Sequence, residues 1–156
     1  MATMIKAEHV NPFIVSTMET FTKMVGCEAK PGKAMLKKDA MIDFDVSGII
    51  GLSGKVIGSV GMSFPEKTAI ATCNKFMSAD YSSLHDDILD AVGELVNIVA
   101  GNAKKGLVEF DIQISLPNVI QGHNHHLVDP KGALSFVVPF TTPYGPFYMT
   151  VSLKAA

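Results

Sequence analysis

The segment DDILDAVGELVNIVAGNAKKGL, from Asp86 to Leu107, has the periodicity of a long amphipathic helix. Its apolar side chains recur at helical spacing and form one stripe, which predicts a helix packed against a sheet. On the opposite side, a polar line runs along the helix within an arc of roughly 60°. Asparagine and glycine are poor helix formers, so their presence in the helix interior requires an explanation. The apolar stripe consists of Ile88, Val92, Leu95, Val99 and Ala103, and the polar line consists of Asp90, Glu94, Asn97 and Gly101.

The size and composition of the chain predict a single globular domain. It has 156 residues, enough to bury a substantial core, and we expect one domain over residues 1–156. Hydrophobic residues make up 47% and charged residues 18%, and the formal net charge is −2. This charge gives no electrostatic reason to expect a nucleic acid or an anionic membrane as partner. Because the chain has no membrane-length apolar run and no secretory signal pattern, we expect a cytoplasmic protein.

Two further helices and a hairpin are predicted before this segment. A first helix begins at the Asn11-Pro12 pair and ends at Gly26. Two Ile- and Val-rich strands follow, separated by a break at Ser53-Gly54, and they predict a β-hairpin. A second helix begins at Pro65. The first helix is amphipathic: its apolar face consists of Phe13, Thr17, Phe21 and Met24, with Ile14, Met18 and Val25 beside them.

The segments around the third helix complete an α+β pattern. We expect this helix to be capped at Ser82 or Ser83 and to end near Gly106. Only strand patterns follow it: EFDIQISLP, NVIQG, ALSFVVPFTT and FYMTVSLK. Because helices and strands are segregated, the sequence predicts an antiparallel β-sheet packed against about three helices.

The polar line of the third helix resembles a known signature. The run Asp90-x-x-x-Glu94-x-x-Asn97, followed by IVAGNAKKGL, is similar to that of the CheC/CheX/FliY family of chemotaxis phosphatases. That signature has an Asp or Ser, a Glu and an Asn at this spacing and a proline further along, for which this chain has Pro117. The order of helices and strands is also similar to this family's, and it implies a CheC-like fold.

The first helix lacks a second copy of this signature. CheC-like members of the family carry the Glu/Asn pair on two helices. In this chain the corresponding frame is Val15, Glu19 and Thr22, without the acidic start and without the asparagine. A single intact site is similar to the CheX members.

The resemblance implies a substrate and a role for each residue of the polar line. The substrate would be the phosphorylated aspartate of a CheY-type response regulator in chemotaxis or two-component signalling. Mg²⁺ would be held by the regulator, so we expect no cofactor of the protein's own. Because phosphoryl transfer depends mostly on positioning and electrostatics, Asn97 is the candidate for orienting the attacking water. Glu94 would engage the regulator, and Asp90, Gly101 and Lys104 would be partner contacts.

The histidine-rich segment GHNHHLVDP offers a different chemistry. His123, His125, His126 and Asp129 are suitable ligands for Zn²⁺ or Ni²⁺. The segment lies between two predicted strands, however, and no further ligand is evident. A solvated loop is the simpler interpretation, and we assign no metal to the protein.

The sequence also bears on two other functions. A serine or cysteine hydrolase is disfavoured because there is no G-x-S-x-G elbow, and Cys27 and Cys73 are in the sequence context of core thiols. A non-catalytic module that binds a response regulator or a flagellar switch component, or that dimerises, is the alternative to a phosphatase. The pair Glu94 and Asn97 favours catalysis, because a docking surface alone does not need that pair in that register.

The resemblance also implies a homodimer. CheX-like proteins are dimers through sheet association. The apolar segments FVVPF and FYMTVSL would need covering if they lay at the edge of a sheet.

Overall fold

A computed structural model describes residues 4–37, 44–122, 125 and 128–156. Within these residues, three α-helices cover one face of an eight-stranded antiparallel sheet. This arrangement confirms the predicted α+β class. The helices are α1 (Asn11–Thr20), α2 (Glu66–Met77) and α3 (Asp86–Ala103). The strands are β1 (Lys30–Pro31), β2 (Met35–Leu36), β3 (Val46–Ser53), β4 (Val56–Phe64), β5 (Gln113–Ile114), β6 (Asn118–Gln121), β7 (Leu134–Thr142) and β8 (Gly145–Ala155).

The strands are arranged in the order β1-β7-β8-β4-β3-β5, with β2 also paired to β7 and β6 also paired to β3. The predicted hairpin is β3–β4, in which Ile50 lies opposite Val60. Gly54 forms its turn with a φ of 135°, a conformation that glycine adopts without steric cost. A Cβ there would lie 2.3 Å from the Asp111 carbonyl oxygen. The turn therefore requires glycine at this position.

Helix α3 packs directly on the centre of the sheet. Its predicted apolar stripe is buried, from Ile88 to Ala103. In the strand beneath it, a Cβ on Gly48 would lie 3.1 Å from Val92 Cγ1 and 3.2 Å from Val96 Cγ1. The absence of a side chain at Gly48 therefore lets α3 approach the sheet closely.

The first helical segment differs from its prediction near its C-terminal end. A 3₁₀ turn, Ala7–Val10, precedes α1, and a π-helical turn, Phe21–Val25, follows it before Gly26 ends the segment with a φ of 83°. The predicted core position Met24 is 46% exposed, whereas Val25 is 2% exposed. A π turn bonds each residue to the fifth residue before it, so it shifts the helical register by one position. Val25 consequently replaces Met24 in the core.

The start of α3 also differs from its prediction. The cap is His85, whose Nδ1 accepts a hydrogen bond from the Asp87 backbone N–H at 3.0 Å, and not Ser82 or Ser83. Both serines lie in the bend that precedes it. At its other end α3 continues into a 3₁₀ turn, Lys104–Gly106, so the predicted end near Gly106 is confirmed.

The strands after α3 place the two predicted apolar segments inside the sheet and not at its edge. The stretch EFDIQISLP forms only the short β5, because a 3₁₀ turn, Val108–Phe110, occupies its start. Both predicted apolar strands, β7 and β8, lie inside the sheet, since β1 and β2 pair with the outer side of β7. In the part of the chain that the structure describes, no helix is long and apolar enough to cross a membrane.

Candidate functional site

The polar line of α3 lies on the side of the helix that faces away from the sheet. Asp90 and Glu94 are exposed, and Asn97 and Gly101 are half-buried. Glu94 and Asn97 are separated by about 4.5 Å along the helix axis, so their side chains can contact one bound molecule. Within the described residues, the side chains of Asp90, Glu94 and Asn97 make no hydrogen bond or ion pair. These polar groups are therefore available to a partner.

Other asparagines nearby use their amides inside the protein. The Asn74 side chain donates from Nδ2 to the Tyr81 carbonyl at 2.8 Å and accepts from the Tyr81 N–H at 2.9 Å. Asn102 Oδ1 accepts from Lys105 Nζ at 3.3 Å. Asn74 thus holds a loop in place and Asn102 has a lysine partner, whereas the Asn97 side chain makes no such bond to any residue that the structure describes.

Gly101 leaves open space next to the polar line. A Cβ added there would have no heavy atom within 4 Å outside its own helix and chain neighbours. Packing inside the described chain therefore does not require glycine at this position, although glycine costs a helix interior about 1 kcal/mol relative to alanine. Lys104 is half-buried in the 3₁₀ turn after α3, where a cation interacts favourably with the helix dipole.

Neighbouring elements hold α3 rigidly on both flanks of the polar line. The Ser16 hydroxyl of α1 donates to the Val99 carbonyl at 2.7 Å in a buried contact. On the other flank, a Cβ on Gly93 would lie 3.5 Å from the Pro117 ring and 3.2 Å from Val119. The loop before β6 therefore lies against the helix beside Glu94, and its Leu116 is 86% exposed.

The corresponding frame on the first helix has no comparable arrangement. Val15 and Glu19 are exposed, but Thr22 lies in the π turn and donates its hydroxyl to the Met18 carbonyl at 3.1 Å. No side-chain amide stands at this position. The first helix therefore carries no second Glu/Asn pair in this frame.

Sequence reasoning missed a shallow hollow between α2 and α3. It has a volume of about 310 Å³ and adjoins Glu94. The pairing of α2 with α3 depends on tertiary packing, which a sequence pattern does not contain. We call this feature the α2–α3 hollow; it is lined by Phe76, Met77, Asp87, Asp90, Ala91 and Glu94.

The two thiols have the properties of core cysteines. Burial raises the pKa of Cys73 to about 12, and it also raises the pKa of the half-buried Cys27. Both thiols therefore stay protonated at neutral pH, and the thiolate is the reactive form. This agrees with the prediction against a cysteine hydrolase.

Of the histidine segment, His123 and His126 lie outside the described residues. His125 Nδ1 is 2.7 Å from the Gly122 carbonyl oxygen, and its Nε2 is 2.8 Å from Ser47 Oγ. Asp129 forms an ion pair with Lys37 at 3.3 Å. Among residues 4–37, 44–122, 125 and 128–156, no three His, Cys, Asp or Glu side chains are grouped as metal ligands. Hydrogen bonds and an ion pair thus hold the described part of this loop.

Comparison with known proteins points to one family. Residues 46–141 match the family described as "Chemotaxis phosphatase CheX". The chain is 31% identical over 121 residues to the "CheY-P phosphatase CheX" of Thermotoga maritima, an alignment covering 76% of this chain and 78% of that protein.

Solved structures agree over almost the whole chain. A CheC-like superfamily protein from Shewanella sp. PV-4 superposes with a TM-score of 0.88 at 32% identity, covering 97% of this chain and 100% of that one. CheX from Borrelia burgdorferi, solved in complex with CheY, BeF₃ and Mg²⁺, gives a TM-score of 0.82 at 25% identity, covering 96% and 99%. The chain belongs to the CheX family of chemotaxis phosphatases.

Proposed function

We propose that this protein is a hydrolase that accelerates dephosphorylation of the aspartyl phosphate of a CheY-type response regulator. The observation that carries the proposal is the environment of Glu94 and Asn97. Their side chains make no hydrogen bond or ion pair within the described residues, and both lie on one side of a helix that neighbouring elements hold in place. The relative from Thermotoga maritima is named a CheY-P phosphatase, and the Borrelia burgdorferi relative was solved bound to CheY. Both relatives support this substrate class.

The proposed reaction needs an ordered water more than it needs acid-base chemistry. Water attacks phosphorus in line, the bond from phosphorus to the aspartyl oxygen breaks, and aspartate leaves as a carboxylate. The Asn97 carboxamide can accept a hydrogen bond from the water through Oδ1 and remains uncharged beside the phosphoryl group. Holding the water in line supplies the positioning on which phosphoryl transfer depends.

Glu94 has a different proposed task. A carboxylate is repelled by a phosphoryl group, whereas it forms a charge-assisted hydrogen bond with a lysine. We therefore assign Glu94 to the regulator's active-site lysine, a contact that fixes the register of α3 on the partner. Asp90 and Lys104 are proposed partner contacts at the two ends of the line, and Gly101 leaves room for the partner's backbone.

The proposed chemistry assigns Mg²⁺ to the regulator and no cofactor to this protein. Titration calorimetry with Mg²⁺ would test this assignment: we expect no binding to the protein alone and binding to the regulator. Saturable Mg²⁺ binding to the isolated protein would contradict it.

The decay of a phosphorylated CheY-type regulator from the same genome tests the function. Replacing one positioned group in an active site typically costs about 10²–10³ in rate. We expect Asn97→Ala to lower kcat by about this factor while affinity for the beryllofluoride-activated regulator is kept. The matched control is Asn102→Ala, which removes the same amide further along α3, where it is bonded to Lys105. That control should retain wild-type kcat.

Glu94→Ala provides the second arm of this test. We expect it mainly to raise KM, because it removes a contact with the partner. Tight binding of the wild-type protein without any acceleration of decay would instead favour the non-catalytic adaptor. Equal loss of kcat in Asn97→Ala and Asn102→Ala would contradict the assigned role of Asn97.

We further propose that the protein acts in the cytoplasm as a homodimer. The described outer edge of the sheet beyond β7 supports self-association, since Met35 is 52% exposed and Leu36 is 63% exposed on β2. Exposed apolar strand edges favour pairing with another chain. Light scattering should give twice the chain mass of 16.7 kDa. Leu36→Asp should give a monomer, whereas the control Ile57→Asp, at another exposed apolar position of the sheet, should remain dimeric.

A further inference from the structure

We infer that the α2–α3 hollow receives a second basic side chain of the response regulator, distinct from the active-site lysine assigned to Glu94. The inference rests on the proposed function and extends it to partner recognition. It is carried by three features of the hollow: an apolar floor, an acidic rim and its continuity with the polar line of α3.

The floor of the hollow suits the aliphatic part of a lysine or arginine. Phe76 and Met77 form the last turn of α2 and are only partly buried, and Ala91 of α3 completes the floor. The helix ends at Met77 and its cap, Ser78, has a φ of 56°, so no further turn of α2 covers these side chains. Long basic side chains bury their methylene stems on such surfaces and keep the charged end in water.

The rim determines the sign of the charge that the hollow accepts. Asp87, Asp90 and Glu94 all line it. Asp87 already accepts a hydrogen bond from the Tyr81 hydroxyl and lies 3.6 Å from His85 Nδ1. Asp90 has no hydrogen bond or ion pair among the described residues, so its carboxylate is the one we assign to the incoming cation.

The groove between α1 and α3, on the other flank of the polar line, has a mixed charge. It contains Glu19 together with Lys23 and Lys105, and its apolar side chains include Met24. An acidic rim attracts a basic group and repels an acidic one, and such complementarity fixes the register of an interface. The α2–α3 hollow, and not this groove, is therefore the specific receptor for a cation.

The hollow and the polar line share Asp90 and Glu94. Asp90 precedes Glu94 by about 6 Å along the helix axis, roughly the reach of one lysine side chain. A regulator that seats its phosphorylation site over Glu94 and Asn97 consequently extends over the hollow. The basic residue that enters it belongs to the partner surface bordering the regulator's active site.

A positive charge placed on the apolar floor tests the inference. Met77→Lys brings a cation into the hollow, and we expect it to raise KM for the phosphorylated regulator about tenfold, equivalent to about 1.4 kcal/mol. Its kcat should stay at the wild-type value, because Asn97 is unchanged. The matched control is Met24→Lys, the same substitution in the groove between α1 and α3, and it should leave KM unchanged. Thermal melting should confirm that both variants are folded.

The Asp90→Asn variant tests the same inference through a different quantity, the salt dependence of KM. It removes one charge with little change of shape, and it should weaken the dependence of KM on salt concentration. Asp111→Asn, directly after the 3₁₀ turn Val108–Phe110, should keep the wild-type salt dependence. If Asn97→Ala loses activity but Met77→Lys keeps the wild-type KM, this inference is overturned and the proposed function is not. Failure of the wild-type protein to bind any CheY-type regulator of its genome would overturn the proposed function as well.

Discussion

Ser16 of α1 and Val99 of α3 are joined by a buried hydrogen bond, in which the serine hydroxyl donates to the valine carbonyl oxygen at 2.7 Å. The bond connects the two helices in the half of α3 that follows Asn97. It ties the backbone of the helix that carries the polar line to a second rigid element. Positioning of a water by Asn97 depends on this rigidity, because small misplacements of a catalytic group cost large factors in rate.

We expect Ser16→Ala to lower the free energy of unfolding by about 1 kcal/mol, the usual net value of one such hydrogen bond. Urea unfolding monitored by circular dichroism would measure it. The control Ser83→Ala removes an exposed hydroxyl before α3 and should change stability by less than about 0.5 kcal/mol. Equal stability of the two variants would show that the helix contact does not depend on this bond.

Gly101→Ala should raise the stability of the protein and lower its affinity for the regulator. The site has open space for a Cβ, and alanine is favoured over glycine in a helix interior by about 1 kcal/mol. We therefore expect the free energy of unfolding to rise by about this amount. Affinity for the regulator should fall at the same time, because the methyl group occupies the space proposed for the partner's backbone.

Denaturant unfolding and binding to the beryllofluoride-activated regulator measure these two effects. A stabilised Gly101→Ala variant with wild-type affinity would show that the partner does not approach this glycine. A destabilised variant would contradict the open space around it.

Much of this fold could be predicted from periodicity. The apolar stripe from Ile88 to Ala103 is buried as expected, because helical spacing places these side chains on one face whatever the partner is. The side of α3 that carries Glu94 and Asn97 followed from the same spacing. Their assignment to phosphatase chemistry came from the resemblance and not from periodicity.

Other features depend on contacts that a sequence pattern does not contain. Regular α-helical spacing put Met24 on the apolar face with Val25 beside it, but a π turn buries Val25 and exposes Met24. Serine is a common N-cap residue, which is why Ser82 or Ser83 is the expected cap. In the structure both serines lie in the bend before α3, and the helix begins only after His85. The α2–α3 hollow requires Met77 and Glu94 to meet across two helices, and that pairing is set by tertiary packing.

His85→Ala tests the observed cap of α3. Loss of a capping acceptor typically costs about 0.5–2 kcal/mol, so we expect a fall of about 1 kcal/mol in the free energy of unfolding. Asparagine is a good N-cap residue, and His85→Asn should restore most of this stability. Urea titrations of the three proteins would decide the matter. If Asn is no better than Ala, the stacking of His85 on Tyr81, with ring centroids 4.4 Å apart, contributes the stability instead.

Cys73 should make the protein lose stability at alkaline pH. Its folded-state pKa is raised from 9.0 to about 12, so above pH 9 the unfolded chain releases this proton while the folded protein keeps it. The stability contributed by the buried neutral thiol is therefore fully present below pH 9 and is lost as the pH rises towards 12. In that window the free energy of unfolding should fall by about 1.4 kcal/mol per pH unit from this group. Urea unfolding between pH 8 and pH 10.5 should show a shallower decline for Cys73→Ala than for the wild type, whatever the variant's stability at neutral pH, whereas parallel declines would contradict the raised pKa of Cys73.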